Sequence, residues 1–503
     1  MSISLILDMA ASGHPDRTAI TVDGTSLTYA EFGELVAGAA SVIARADAKN
    51  VVFLGNSGLE LPVLVFAAAH AGVPFVPVNY RLARGQLEQL IARTESPLVI
   101  ADPRYVAELA SIRDVMTTDA FASAARTAAS DPLPAANVDP DDPAIILFTS
   151  GTTSAPKGVI LRHSHLLSYV MSTVEYGAAA ETDGALISVP PYHVAGMGTI
   201  LTNIYAGRRL IYLPNFDARA WVELVRREGA TSAMVVPTML DRIVDVLAGE
   251  RADVPTLRSL SYGGARMPRP TLEAALRAFP EAGFVNAYGL TETSSTIALL
   301  GPEDHRAALD SDDPVVQARL GSIGRPVPGI EIQLRSPEGL PVASGEQGEL
   351  WVRGPQVSGE YMGAGSVLDA EGWFPTKDLA YTDTEGFLYI VGRNDDTIIR
   401  GGENIAPAEI EDVLVHHPMV RSVVVVGIPD DHWGEAIAAA VVVEPGMSVD
   451  PEELRTYVRE RLRGSRTPDR VIFLDDLPAT ATGKILRKNV VSSIVEPTAE
   501  SRA

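Results

Sequence analysis

One short stretch, Thr149-Ser150-Gly151-Thr152-Thr153-Ser154-Ala155-Pro156-Lys157-Gly158, concentrates hydroxyls, permissive backbone and a single cation directly after an apolar run. Amides and hydroxyls can donate to phosphate oxygens and the lysine adds charge, so the segment suits a loop that grips phosphate. No Gly-Lys-Ser/Thr closes it, so it is not a Walker A loop, and composition alone leaves a solvated serine/threonine loop as the alternative. Near the C-terminus Gly483-Lys484 offers a second cation, but Pro478 stands where a Walker A loop needs its first glycine. Glu292 and Asp378 taken singly would be surface carboxylates. His193 taken singly would be a packed, hydrogen-bonded core histidine. His163 and His165, and His416 with His417, have no third ligand at a sensible spacing, so no protein-ligated zinc is expected.

These residues need elements to hold them. Up to about residue 320, β-rich runs at 51–54, 144–148, 187–189, 210–213 and 234–236 alternate with amphipathic segments such as 221–228 and 271–279. That alternation predicts α/β layers with largely parallel sheets. Thr28 with Glu31 forms a capping box that opens a helix near Tyr29. The longest apolar stretch, 61–78, is broken by Pro62, Gly72, Pro74 and Pro77, so it reads as a buried helix, a turn and a buried strand rather than a membrane span. From 321 to 389 glycine, proline and short alternating strands such as Glu349-Leu350-Trp351-Val352-Arg353 predict a small antiparallel β subdomain. After Arg393 the pattern resets: helix 408–415, strand 423–426, strand 437–443, helix 451–461 and strand 471–474 make a compact α+β unit. The polar junction Gly392-Arg393-Asn394-Asp395-Asp396 suits a hinge. The expected division is therefore a large N-terminal domain over 1–393 and a small mobile domain over 394–503, whose polar tail from Glu496 is expected to fray.

Composition narrows the chemistry. At 503 residues the chain exceeds what one core supports, and 46% apolar with 21% charged residues is ordinary for a soluble globular protein. A net charge of −23 repels nucleic acid, and it repels nucleotides as well, so any anion site must be built locally from backbone donors, a few cations or Mg²⁺. The chain has no cysteine, which excludes disulfides, thiolate metal sites and a cysteine nucleophile; any thioester must take its thiol from a co-substrate. The N-terminus shows no charged segment followed by an apolar core, so a cytoplasmic protein without stable membrane insertion is expected.

The threonine-rich loop resembles the signature of the adenylate-forming superfamily, which contains acyl-CoA synthetases, peptide-synthetase adenylation domains and luciferases. Further segments fall in the family's order: Pro190-Pro191-Tyr192-His193-Val194-Ala195-Gly196, Ser261-Tyr262-Gly263-Gly264-Ala265, Asn286-Ala287-Tyr288-Gly289-Leu290-Thr291-Glu292-Thr293, Thr376-Lys377-Asp378 with Gly392-Arg393, and Pro478-Ala479-Thr480-Ala481-Thr482-Gly483-Lys484. The chain departs from the pattern at Ser154 and Lys377, where the family usually has glycine, and at Asp469, where relatives often carry a base.

The resemblance implies an ATP-dependent ligase that makes an acyl-adenylate and passes the acyl group to coenzyme A. Thr149, Ser150, Gly151, Thr152, Thr153 and Lys157 would hold the β- and γ-phosphates, and Tyr288 would face adenine, with Gly263, Gly264, Asn286 and Gly289 beside it. Thr291 would reach the α-phosphate, while Glu292 with Thr149 would ligate Mg²⁺. Asp378 and Arg393 would grip the ribose, and Lys484 would bridge carboxylate and α-phosphate as charge builds. The acyl pocket would be bordered by His193, Val194, Ala195, Val236, Gly263, Asn286 and Thr293. Asp395 matches the hinge. Arg400, Gly401 and Gly402 match the loop lining the pantetheine tunnel; Trp433 would pack on coenzyme A, and Arg466, clustered with Arg463 and Arg470, would meet its phosphates, a solvated helix end being the alternative.

No carboxylate stands in the pocket segment to pair an α-ammonium, which disfavours an amino acid, and the small apolar residues suit an aryl, cinnamic or medium-chain fatty acid. Two alternatives stay open: a free-standing enzyme that loads such an acid onto a carrier protein, and a nucleotide-binding homologue without ligase activity. The small-molecule acid and coenzyme A are the expected partners, and the sequence leaves a homodimer open.

Overall fold

The computed structural model describes residues 1–112, 115–149, 156–400, 403–430, 433–462, 464–480 and 485–495. Local rules set the first elements. Thr28 Oγ1 accepts from the Glu31 amide at 3.2 Å, and Glu31 Oε2 accepts from the Thr28 amide at 2.8 Å. This reciprocal cap opens the helix Tyr29–Arg45, which buries Phe32, Val36, Ala39 and Ile43 along one face. The helix Glu60–Ala71 is buried over Leu61 to Ala69 and stops at Gly72, whose φ of 73° closes it in the left-handed region. The strand Phe75–Pro77 follows, as the proline-broken apolar stretch predicts.

Two large sheets form the N-terminal lobe. In the nine-stranded sheet, Thr18–Val22, Arg209–Tyr212, Gly184–Ile187, Ser232–Val235, Ser259–Gly263 and Gly283–Leu290 run parallel, and antiparallel strands flank them on both sides. The eight-stranded sheet has a parallel half built from Met116–Thr117, Pro97–Ala101, Asn50–Leu54, Phe75–Pro77 and Pro143–Thr149. It continues through the antiparallel strand Lys157–Arg162 to the short pair Glu360–Tyr361 and Gly365–Ser366. Helices Ser4–Gly13, Tyr29–Arg45, Glu60–Ala71 and Val194–Tyr205 share one core with inward residues of both sheets, such as Ile20, Leu210, Phe53 and Ile145. The carboxyl ends of parallel strands, where open α/β sheets place ligands, therefore carry Thr149, Val236, Gly263 and the segment from Asn286.

The β subdomain is an antiparallel sheet in the order Glu331–Arg335, Gly348–Arg353, Phe374–Thr382 and Leu388–Arg393. Its alternation is real: Leu350 and Val352 are buried while their neighbours are not. The sheet runs on to Arg393, so Gly392 and Arg393 are strand residues, and Asn394–Asp396 is a single 3₁₀ turn.

The smaller lobe is built on the hairpin Val420–Asp430 and Gly434–Val443, with Arg470–Phe473 parallel to its second strand. Val425, Ile437, Ala439 and Val441 face the helices Pro407–Leu414 and Pro451–Arg459, whereas Val424, Val426, Ala438 and Ala440 face Arg487–Val495. Such two-sided burial explains the uninterrupted valine and alanine runs. Among the described residues three ion pairs cross the boundary at 393/394, Arg266 with Asp412, Arg421 with Asp245 and, beside the junction itself, Lys377 with Asp395.

Several expectations needed correction. The strand expected at 187–189 ends at Ile187, because Ser188 and Val189 turn toward Pro190 and the Val189 carbonyl is taken by Ser57 Oγ. The strands Ile398–Arg400 and Glu403–Ile405 and the helix Arg487–Val495 were not foreseen.

Candidate active site

Two residues expected at a ribose meet by strand register. Asp378 lies opposite Arg393 across neighbouring antiparallel strands, and Arg393 Nη1 donates to Asp378 Oδ1 at 3.0 Å. Asp378 is 6% exposed, so the guanidinium offsets the cost of burying its charge. Thr376 Oγ1 supports it, accepting from the Asp378 amide at 3.1 Å and donating to the Leu350 carbonyl at 2.7 Å. The Tyr288 hydroxyl donates to the other carboxylate oxygen, Asp378 Oδ2. Burial, followed by the neighbouring carboxylate, raises the Tyr288 pKa well above its ordinary value, so its proton stays on this bond. Arg393 Nε is buried and has no protein partner among the described residues.

Tyr288 belongs to the strand Gly283–Leu290, and the chain continues into the 3₁₀ turn Thr291–Thr293 that presents Glu292. Glu292 Oε1 accepts from the Tyr361 hydroxyl at 2.8 Å. The Lys157 ammonium lies 5.2 Å from the centre of the same Tyr361 ring. Lys157 pairs with Thr149 across the antiparallel strands that flank the threonine-rich loop, and Thr149 Oγ1 donates to the Lys157 carbonyl at 3.4 Å. A continuous chain of contacts therefore joins Thr149, Lys157, Tyr361 and Glu292, and through the motif backbone Tyr288, Asp378 and Arg393. Ser150, Gly151, Thr152 and Thr153 lie outside the described residues, as does Lys484.

The wall expected for an acyl group is assembled from four elements. His193 is the N-cap of the helix Val194–Tyr205, with Nδ1 accepting from the Ala195 amide at 3.2 Å. That bond leaves Nδ1 without a proton and puts the proton of the neutral ring on Nε2. A β-carbon on Gly264 would come within 3.8 Å of both His193 Cε1 and Val236 Cγ1, so these three residues surround one small space. Gly264 has φ +81°, and a β-carbon on Gly263 would stand 2.2 Å from the Ala287 carbonyl oxygen. Both glycines are required by backbone geometry. A β-carbon on Gly289 would likewise meet the Ser295 carbonyl at 1.8 Å. Asn286 Nδ2 donates to the Ser322 carbonyl at 3.0 Å. Val194 and Ala195 are each 5% exposed at the start of their helix.

Three expectations change. Thr293 does not line a pocket: it is fully buried, and its hydroxyl is spent on Leu290 and the Ser295 carbonyl, closing the turn that displays Glu292. Arg466 is occupied within its own lobe, paired with Glu403 and, at 3.3 Å, Glu409, so a phosphate would have to displace two carboxylates. Arg400 donates to Asp469 at 2.6 Å and to the Ser465 carbonyl at 3.0 Å, and its guanidinium lies 5.2 Å from the Trp433 ring centre. Asp469, the unusual carboxylate, thus serves as the internal partner of Arg400. Gly401, Gly402 and Arg463 lie outside the described residues. Asp395, expected at a hinge, is 3.5 Å from the Lys377 ammonium. Tyr361 was not anticipated at all.

The histidines without a third ligand bond to backbone, His416 Nδ1 donating to the Asp412 carbonyl at 2.7 Å and the other three accepting. His163 Nδ1 accepts from the Ile3 amide, His165 Nδ1 from the Arg162 amide and His417 Nδ1 from the Met419 amide. No helix among the described residues is long and apolar enough to cross a membrane.

Comparison with known proteins agrees with this geometry. The profile of the AMP-binding enzyme family matches residues 7–362, and that of the AMP-binding enzyme C-terminal domain matches 409–484. An indoleacetate–CoA ligase of Aromatoleum aromaticum is 32% identical, with 98% of each chain covered. A fatty acid–[acyl-carrier-protein] ligase of Streptomyces coeruleorubidus is 33% identical over 95% of this chain and 94% of its own. The o-succinylbenzoate coenzyme A synthetase of Bacillus subtilis, solved with ATP and magnesium, superposes with a TM-score of 0.81 at 28% identity, covering 96% of this chain and 98% of that one. With both lobes matched in order and the fold shared throughout, the chain belongs to the AMP-binding enzyme family of the adenylate-forming superfamily and is an enzyme of its acyl-CoA synthetase class.

Proposed function

We propose that the protein is an ATP-dependent acid–CoA ligase that activates an apolar carboxylic acid, aryl, cinnamic or medium-chain fatty, as its acyl-adenylate and then forms the thioester. The observation that carries this reading is the pair of contact groups, Thr149–Lys157–Tyr361–Glu292 and Tyr288–Asp378–Arg393, joined by the short motif that holds both Tyr288 and Glu292. It gathers a cation, a hard oxygen ligand, an aromatic side chain and a buried carboxylate, the kinds of group that a nucleoside triphosphate would use.

In this reading Asp378 accepts from the ribose hydroxyls, and Arg393 holds the carboxylate in place. Lys157 and the loop from Thr149 hold the β- and γ-phosphates. The residues fit a magnesium ion: Glu292 has no cationic partner among the described residues, and Tyr361 takes only one of its oxygens. Bound by Glu292 and the Thr149 hydroxyl, Mg²⁺ would neutralise phosphate charge and favour departure of pyrophosphate. The substrate carboxylate attacks the α-phosphorus and needs no general base. Lys484, within the matched C-terminal segment, would stabilise the charge that builds there. The thiol of coenzyme A then attacks the acyl carbonyl, AMP leaves and the thiol proton passes to solvent. The lobes divide at 393/394, with Asp395 as the pivot that exchanges Lys484 for the loop of Arg400, Gly401 and Gly402. His193 presents an Nε2–H donor at the acyl wall, beside the small surfaces of Gly264 and Val236.

Similarity to the carrier-protein ligase supports one second reading, in which the acceptor is a carrier-bound pantetheine thiol. A pyrophosphate-release screen over aryl, cinnamic and C6–C12 fatty acids, with coenzyme A or a carrier protein, separates the two. Acid-dependent release with thioester appearing on coenzyme A is the expected result. Release without transfer to coenzyme A assigns the carrier, and no acid-dependent release at all overturns the ligase reading.

A further inference from the structure

We infer that Tyr361 is a positioning residue that holds the proposed metal carboxylate, Glu292, and the phosphate-loop lysine, Lys157, in one fixed relation. The inference rests on the nucleotide-site reading above.

Tyr361 sits on a short segment that touches both sides of the site. Upstream, the Ser358 and Gly359 amides donate to the Glu292 carbonyl at 2.8 and 3.2 Å. The Tyr361 hydroxyl donates to Glu292 Oε1, so residues 358–361 grip Glu292 at three points, by backbone and by side chain. Downstream, Tyr361 is in strand register with Val159, and the Met362 amide donates to the Gly158 carbonyl at 2.8 Å. Ser358 Oγ donates to the Ile160 carbonyl, and Arg162 makes a two-pronged pair with Glu360 at 2.8 Å on each prong. The segment is thus a strap between the turn that presents Glu292 and the strand that leaves the phosphate loop.

Tyr361 is where the strap meets both functional groups. A carboxylate facing a metal must offer one lone pair in a set direction, and a hydroxyl donor on its other oxygen fixes that direction. The ring face turned to Lys157 draws the ammonium toward the same point. With Glu292 and Lys157 both tied to one rigid ring, the metal and the phosphate-binding cation are registered to each other before nucleotide arrives.

The test compares binding of ATP with and without Mg²⁺ by calorimetry in wild type, Tyr361→Phe, Glu292→Gln and the double variant. Tyr361→Phe keeps the ring beside Lys157 and removes only the hydroxyl bond to Glu292. It is expected to raise the Mg²⁺ concentration that half-saturates MgATP binding by about tenfold, the size of a lost hydrogen bond to a charged group, while metal-free ATP binding stays unchanged. In the Glu292→Gln background the same substitution is expected to add little. Tyr361→Phe with wild-type metal dependence, or with equal loss in the presence and absence of metal, overturns the assignment of Tyr361. If Glu292→Gln itself leaves the metal dependence intact, the reading of Glu292 as the metal carboxylate fails, and the Tyr361 assignment falls with it.

Discussion

The residue scale is where this chain differs most informatively from its family. Lys377, immediately before Asp378, has φ 64°, in the left-handed region that costs a side-chain-bearing residue about 1–2 kcal/mol. The glycine usual at this position in relatives therefore has a conformational reason, and here the strain is tolerated where Thr376 and Asp378 are both hydrogen-bonded. Its ammonium lies 3.5 Å from Asp395, but the side chain is 55% exposed, so the pair contributes under about 1 kcal/mol. Lys377→Gly is expected to be more stable than Lys377→Ala by about 1 kcal/mol, since both lose the charge and only glycine relieves the backbone. Urea unfolding of the two variants checks this; equal midpoints would remove strain from the account. The site was partly legible at this scale. The segments that carry Asp378, Arg393, Tyr288 and Glu292 stand out as motifs in the sequence, and the structure pairs both Tyr288 and Arg393 with Asp378. Tyr361 gave no signal, since its partner lies 69 residues away and its own flanks are ordinary strand. A residue type does not announce that its bonds are already taken, as the buried hydroxyl of Thr293 and the ion pairs of Arg466 show.

Among the elements, junctions matter as much as bodies. His163 opens the helix His163–Thr173, and its Nδ1 accepts from the Ile3 amide just before the helix Ser4–Gly13, pinning the N-terminus to the core. Burial lowers its pKa from 6.5 to about 4, so the ring stays neutral while a histidine in the unfolded chain takes up a proton. Below pH 6.5 the unfolded state holds more protons, and stability falls as pH drops toward 4, by up to about 3 kcal/mol from this group. His163→Asn, whose amide oxygen can accept the same bond, is expected to flatten the stability–pH slope between those limits. Unfolding midpoints at pH 7, 5.5 and 4.5 measure it, and an unchanged slope would show that His163 is not the group that titrates. Elements with a local code were readable: the Thr28–Glu31 cap, the helix ended by Gly72, the alternation through Leu350 and Val352. Elements defined only by partners were not. The strands Ile398–Arg400 and Glu403–Ile405 have three residues each, too short for a period; they pair with each other, and Ile398–Arg400 joins the hairpin strand Gly434–Val443 through Arg400 and Gly434. The strand at Gly184–Ile187 was displaced in the reading because apolar residues continue past its end into the turn.

For the whole molecule, the proposed cycle asks the two lobes to exchange positions between half-reactions. Lys484→Ala is expected to slow adenylation by about 10²–10³-fold while thioester formation from a preformed acyl-adenylate is little changed. Single-turnover assays of each half-reaction distinguish this from equal loss, which would contradict lobe exchange. The contacts between the lobes bear on how easily such an exchange proceeds. Asp412 and Arg266 are each 52% exposed in their pair, and Arg421 and Asp245 are 43% and 56% exposed in theirs. Pairs this exposed contribute little, so each is a fastener that opens at slight cost. In the proposed cycle a protein fastened in this way would occupy a distribution of poses even without ligand. Each substrate then has only to reweight that distribution, and the carboxylate and thiol steps can share one active site without either pose becoming a trap.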